Sequence, residues 1–207
     1  MKPPKLRNEA APPDPGGRRR LSRRAGLGAL AFAAGALFTL PFLRAADSPV
    51  AREYQIKAGY LFNFAKYVEW PATSLPAADS PLVIGVMDGS EALPDIQRQL
   101  QGKTVNDRPL QIKSVATASA SAGCHILFVC RSAGKTPAEV RDAVGAAAIL
   151  IVGETDQFAE RGGMIGFVRE EGSFRLNLNL EATTQAGLKV SARLSTVAKV
   201  VKGKPEK

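Results

Sequence analysis

The sequence predicts an α/β fold: one domain with a mixed six-stranded sheet, helices on both faces and a C-terminal β-hairpin. Three observations carry this. Between Phe174 and Leu180 apolar residues (Phe174, Leu176, Leu178, Leu180) alternate with Arg175, Asn177 and Asn179, the period of an extended chain with one dry and one wet face. Four short apolar runs upstream are separated by helix-compatible stretches, the pattern of strands with crossovers. Val50 to Trp70 has an apolar stripe at Ile56, Tyr60, Phe64 and Val68, widened by Leu61 and Ala65, as an amphipathic helix requires.

The chain has 207 residues and a formal net charge of +9. Nine Lys/Arg against two acids fall within residues 1–46, so the rest is nearly neutral. A nucleic-acid reader carries its basic surface on the folded body, so this distribution argues against nucleic acid. Residues 1–24 read as a disordered basic N-terminus, with Met1 to Gly17 rich in proline and polar residues. Residues 25–46 read as an export signal or anchor, and 47–207 as the α/β domain. Arg18, Arg19, Arg20, Arg23 and Arg24 precede the uncharged run Ala25 to Leu43, a positive segment followed by an apolar one. Ala45 and Ala46 supply small residues for cleavage. The alternative is an uncleaved anchor, but the run is rich in alanine and glycine, which favours cleavage. Both versions export the body to the periplasm and leave the arginines inside. Ser22-Arg23-Arg24 resembles a twin-arginine signal, with Gly26 where a large apolar residue is usual, so the export route stays open.

Along the body, the first helix ends before Pro71. Phe62 and Tyr67 fall off its stripe and offer an aromatic surface for a partner. Leu82 to Met87 is a buried strand. Asp88-Gly89-Ser90 leads into a helix near Glu91 to Gln101, closed by Gly102. Leu110 to Val115, His125 to Cys130 and Ile149 to Val152 are further strands. Pro137 to Val144 is a helix begun by Thr136. Met164 to Val168 and the alternating strand form the hairpin, joined through Glu170-Glu171-Gly172-Ser173. Glu181 to Ala186 and Ala192 to Val201 read as terminal helices.

Four blocks resemble the YfiR family. They are Tyr54 to Ala58 continuing through Phe62-Asn63-Phe64-Ala65-Lys66-Tyr67-Val68-Glu69-Trp70-Pro71; Cys124 to Val129; Phe158-Ala159 with Gly162 to Ile165; and Ala186 to Ser191. The resemblance runs from about residue 50 to about 201. It implies a periplasmic, non-catalytic regulator that represses an inner-membrane diguanylate cyclase by binding its periplasmic part; a sensor kinase is an alternative partner. Contact with a membrane would then come only through the leader or the partner, and a homodimer is compatible with this reading.

The residues themselves offer little catalytic chemistry. His125 is the only histidine, too few for a triad or a histidine metal cluster. Gly134-Lys135-Thr136 sits between strand and helix like a phosphate loop, but Val129 occupies the place of the required first glycine. Glu170-Glu171 belongs to a turn, and nothing brings Asp88, Glu154 and Asp156 together. The expectation is no enzyme, no cofactor and no metal. Cys124 and Cys130 would stand about 20 Å apart on one strand, on the same face, too far for a disulfide.

Ligands of parallel α/β sheets bind beyond the carboxyl ends of the strands. That rule selects Ser90, Arg131, Ser132 and Thr155, with Arg131 as the cation for a carboxylate or phosphate and helix N-termini as further anion sites. The alternative function is accordingly a sensor of an anionic small molecule. Arg175, Asn177 and Asn179 form a second candidate surface on the wet face of the hairpin strand.

Overall fold

In a computed structural model, the described residues are 48–75, 77 and 79–204. The leader, its cleavage site and the assignments made for residues 1–46 lie outside them. The described elements are helices α1 (Pro49–Tyr67), α2 (Leu93–Leu100), α3 (Pro137–Val144), α4 (Leu180–Gln185) and α5 (Ala192–Val197), with ten strands. The strands are β1 (Val68–Glu69), β2 (Leu82–Met87), β3 (Thr104–Val105), β4 (Arg108–Val115), β5 (Ile126–Val129), β6 (Leu150–Gly153), β7 (Ile165–Glu170), β8 (Ser173–Leu178), β9 (Lys189–Val190) and β10 (Lys199–Val200). Among the described residues no helix is long and apolar enough to cross a membrane.

The fold class is the one the sequence predicts, with more strands. The main sheet has eight, ordered β10-β8-β7-β6-β5-β2-β4-β3, and β1 pairs with β9 in a small separate ribbon. All six predicted strands lie in the main sheet, and the two additions are two-residue edge strands, too short to show a period. The central strands β2, β4, β5, β6 and β7 run parallel, while β7 and β8 form the antiparallel hairpin. Its two-residue loop, Glu171-Gly172, has φ of 42° and 82°, the left-handed pair that matches the twist of the flanking strands.

The sheet centre is buried throughout: β5 and β6 have no exposed residue. Every position there is apolar because both faces are covered. The connection through α2 runs from β2 to β4, and the one through α3 runs from β5 to β6, in opposite directions across the sheet. Right-handed crossovers therefore put α2 and α3 on opposite faces. The first helix packs with α2. Its rings Tyr60 and Phe64 lie 5.7 and 6.1 Å from Phe167 of β7, which also meets Phe128 at 6.0 Å and Phe174 at 6.3 Å. Phe167 is thus the ring around which helix, sheet and hairpin meet, at spacings that favour tilted and edge-on packing.

Several expectations are corrected. The first helix stops at Tyr67, because Val68 and Glu69 pair with Val190 and Lys189. Ile56 is not on its inner stripe: it is 51% exposed, and the inward positions are Lys57, Ala58, Leu61, Phe64 and Ala65. Phe62 and Tyr67 pack on the core instead of forming an open aromatic surface, with Lys103 Nζ 5.2 Å from one ring and the Arg193 guanidinium 5.6 Å from the other. The last helix ends at Val197, and Lys199–Val200 extends along β8 as a strand. Cys124 and Cys130, both free and buried, do not share a face. A turn at Ser121–Cys124 interrupts the alternation, so Cys124 lies beside Gly85 and Cys130 beside Val86 and Gly89.

Two glycines are fixed by one ring. A Cβ on Gly153 or Gly163 would stand 2.2 or 2.3 Å from Phe158, so both positions exclude a side chain. They hold the loop after β6 tightly against the start of β7.

His125 has a structural role. Val83 N–H donates to its Nδ1 at 3.0 Å, and Nε2–H donates to the Ser74 carbonyl at 3.0 Å. Trp70 Nε1–H donates to the His125 carbonyl at 3.1 Å. The ring thereby ties the loop after α1 to the sheet. Burial pushes its pKa below the usual histidine value.

Candidate functional site: a strand-end cleft around a buried lysine

The loops after β2 and β5 leave adjacent strands in opposite directions, which makes the crevice between them the topological switch point of the sheet. Ser132 Oγ spans it, donating to the Asp88 carbonyl at 2.6 Å. Next to this crevice lies a cleft of about 900 Å³. Its walls come from the first turns of α1, the loops after β5 and β6, and the hairpin.

At the cleft sits Lys57, 2% exposed, on the inner face of α1. Its ammonium donates to the carboxylates of Glu53, one turn back, and Glu154, at the end of β6. The same ammonium lies 5.0, 5.7 and 5.1 Å from the rings of Tyr54, Phe167 and Phe174. A charge so buried needs such pairing, and ring faces add to it. Glu154 is 5% exposed and fully engaged: besides Lys57 it accepts from the Arg131 backbone N–H at 2.7 Å and from Tyr54 Oη at 3.3 Å. Arg169 of the hairpin donates to the other oxygen of Glu53. Helix, sheet end and hairpin are therefore clasped by one ionic network.

The network sets local acidities. Burial, then the Glu154 charge, push the Tyr54 phenol well above its ordinary range. The same two causes push the Cys130 thiol up to about 12, so it stays protonated and poorly nucleophilic. Burial also raises the Cys124 thiol.

Of the residues selected from sequence, Arg131, Ser132 and Asn177 line the cleft; Ser90, Thr155, Arg175 and Asn179 do not. Arg131 is engaged, its Nη2 donating to the Glu154 carbonyl at 2.6 Å and to Asp156 at 3.4 Å, although its side chain is 62% exposed. Ser90 does not cap a helix: α2 begins at Leu93 behind Ala92, without a side-chain cap. A short 3-10 turn, Arg131–Ala133, follows β5, and α3 starts later with its first turn closed by a Thr136–Glu139 capping box. The first turn of α3 is thus satisfied by its own side chains, and that of α2 starts three residues beyond Ser90.

The hairpin ladder is also divided, and its face is not simply wet. Arg175 is exposed and pairs with Glu170. Asn177 and Asn179 are buried, at 9% and 3% exposure. Asn177 Nδ2 donates to Glu160 at 2.6 Å inside the cleft. Asn179 accepts from Ala182 N–H at 3.0 Å as the cap of α4 and donates to the Ala159 carbonyl at 3.1 Å.

Sequence reasoning missed Lys57, Glu53, Tyr54 and Glu160, and left Glu154 without a partner. One signal was available. Lys57 stands four and seven residues before Leu61 and Phe64, in line with the apolar stripe, where a charge is out of place unless paired.

Fold and site define an α/β protein with an ion-clasped cleft at the strand ends of its sheet. Residues 54–199 match the YfiR/HmsC-like family, more than half of the chain, and the protein belongs to it. No curated protein matches the sequence.

Proposed function

We propose that this protein is an exported regulator that binds the periplasmic part of an inner-membrane signalling enzyme, a diguanylate cyclase, and represses it. The observation that carries the reading is the family match over residues 54–199, which spans nearly all of the α/β body. The basic and apolar leader supports export. A regulator of this kind works by docking, and needs no reacting group of its own.

The test is genetic and chemical together. Deleting the gene should raise cellular cyclic-di-GMP, and a copy with the leader should restore it while a copy without the leader should not. In-cell crosslinking should recover a membrane cyclase. Unchanged cyclic-di-GMP in the deletion strain would sink the proposal. A sensor kinase in place of the cyclase would keep the docking role and change the partner.

The cleft favours a second reading, a small-molecule sensor, because its size lies in the range of ligand sites. Docking and sensing are compatible, since a ligand biases docking to the extent that it prefers the docked or the free form.

A further inference from the structure

The main sheet ends on an incomplete edge. Its last strand, β3, is two residues long and pairs with β4 through Thr104↔Pro109 and Val105↔Arg108. One further bond, from Leu110 N–H to the Lys103 carbonyl at 3.0 Å, closes that hairpin. β4 runs on to Val115, and among the described residues 111–115 pair with β2 alone. The backbone groups of successive strand residues point to alternate sides. Leu110 N–H points to the β3 side, and the Val115 carbonyl accepts from Asp88 N–H, beyond the end of β2, at 3.4 Å. The N–H and C=O of Ile112 and Ser114 therefore point outward. Gln111 and Ser114 are exposed, and Ile112 and Lys113 are half-buried. Such a row of unpaired groups is a template for one more strand. A groove of about 310 Å³ lies beside this edge, between β4 and the end of α2, lined by Gln97, Gln101, Gly102, Leu110 and Ile112. A chain added to the edge sends alternate side chains into that groove and the others to the opposite face, beside Lys113. A free strand with a groove at its side is how extended peptides are captured: main-chain bonds hold them and the groove selects side chains.

Charge narrows the occupant. Lys113 is the one charged residue within 111–115. The two-fold antiparallel pairing of a second copy that uses this whole stretch sets the two copies of Lys113 face to face, and like charges directly opposite are unfavourable. A strand with an acid at that place gains what a second lysine loses. We propose that the regulated partner docks by adding an extended acidic segment as a strand on the outer edge of β4. An apolar side chain opposite Ile112 enters the groove beside α2, and a carboxylate stands opposite Lys113. This inference rests on the docking reading and names the surface that docking uses.

The experiment is photocrosslinking of the full chain in its own cell, with p-benzoylphenylalanine placed singly at Gln111 or at Val200, which is 51% exposed on the opposite edge of the sheet. Mass spectrometry of the captured peptide identifies the occupant. Gln111 should capture an acidic periplasmic segment of a membrane protein, and Val200 at least about tenfold less of it. Ser114→Pro removes an outward N–H that β2 does not use, a change that edge strands tolerate. It should cut capture from Gln111 at least about tenfold and raise cyclic-di-GMP toward the level of the deletion strain. Lys113→Glu should cut capture severalfold, while Val200→Pro, the same kind of change on the opposite edge, should alter neither readout. The melting temperature of each purified variant checks its fold, and the comparison of Gln111 with Val200 stands without the proline variants. Capture of a membrane protein from Val200 and not from Gln111 overturns the inference and leaves the docking reading standing. So does capture from Gln111 that a folded Ser114→Pro chain does not reduce. Capture of a second copy from Gln111 replaces the acidic partner by a homodimer and overturns it too. Capture from neither position also overturns it: unchanged cyclic-di-GMP in the deletion strain then marks the failure of docking itself, and raised cyclic-di-GMP the failure of this edge alone.

Discussion

Replacing Lys57 by methionine tests the ionic clasp directly. Methionine keeps the unbranched stem and its contact with the Phe167 and Phe174 rings, so the change removes mainly the charge. Two carboxylates lose a partner. Glu53 is 23% exposed and retains Arg169, so its loss is that of a half-open pair, up to about 1 kcal/mol. Glu154 is 5% exposed, and breaking a buried pair from one side costs about 3–5 kcal/mol. It keeps the Arg131 N–H at 2.7 Å and Tyr54 Oη at 3.3 Å, which places the total near the lower end, about 3 kcal/mol. With a urea slope of about 2 kcal/mol/M, the midpoint should fall by about 1.5 M. Trp70, half-buried and bonded to the sheet, reports the transition by fluorescence. Adding Glu154→Gln to the lysine variant removes the stranded charge and should return about 1–3 kcal/mol. A Lys57→Met midpoint within about 0.5 M of wild type, or a double variant less stable than the single one, would refute the buried-pair argument.

Other outcomes follow from the same structure. His125 is held neutral, with its pKa lowered by burial, so its contribution is fully present above the unfolded value of about 6.5 and is lost as pH falls through the lower folded value. Urea midpoints measured from pH 7.5 to 5 should therefore fall, and that part of the slope should vanish in His125→Ala, which itself costs about 1–3 kcal/mol through the stranded Val83 N–H. Gly163→Ala should destabilise by about 1–3 kcal/mol or more, because the new methyl meets the Phe158 ring at 2.3 Å and the Phe158 carbonyl at 2.7 Å. Thr136→Ala opens the capping box of α3 and should cost about 1 kcal/mol in thermal melts. Ellman's reagent at pH 8 should leave both cysteines untouched in the folded protein and titrate two thiols in urea, with the melting temperature unchanged by reductant.

The sheet was largely legible in the sequence because its signals are local. The runs Leu82–Met87, Ile126–Cys130 and Ile149–Val152 are apolar throughout, as doubly covered strands must be, and Thr136-Pro137 with Glu139 writes out the start of α3. Two-residue elements left no such mark. Val68–Glu69 and Lys189–Val190 become strands only because they meet each other across more than a hundred residues. Lys199–Val200 likewise takes its conformation from β8, which overrides the helical spacing of Leu194, Val197, Ala198 and Val201.

The site was less legible, for a physical reason that Lys57 makes plain. Polar residues at strand ends can be found by rule, and the rule found Arg131, Ser132 and the crevice they border. A rule of position carries no information about which charges are already neutralised. Arg131 looked free because its partners, the 154–156 loop, come from a different strand. The four-residue spacing of Ile56, Tyr60, Phe64 and Val68 puts the stripe one residue away from Lys57. Its rotation inward depends on Glu154, 97 residues later, supplying a countercharge at the end of β6. Reading the stripe and the strand end together resolves the ambiguity: a lysine in phase with Leu61 and Phe64 demands a buried acid, and a glutamate closing an all-apolar strand demands a buried base. Each is anomalous alone, and the pairing of the two anomalies is what locates the cleft.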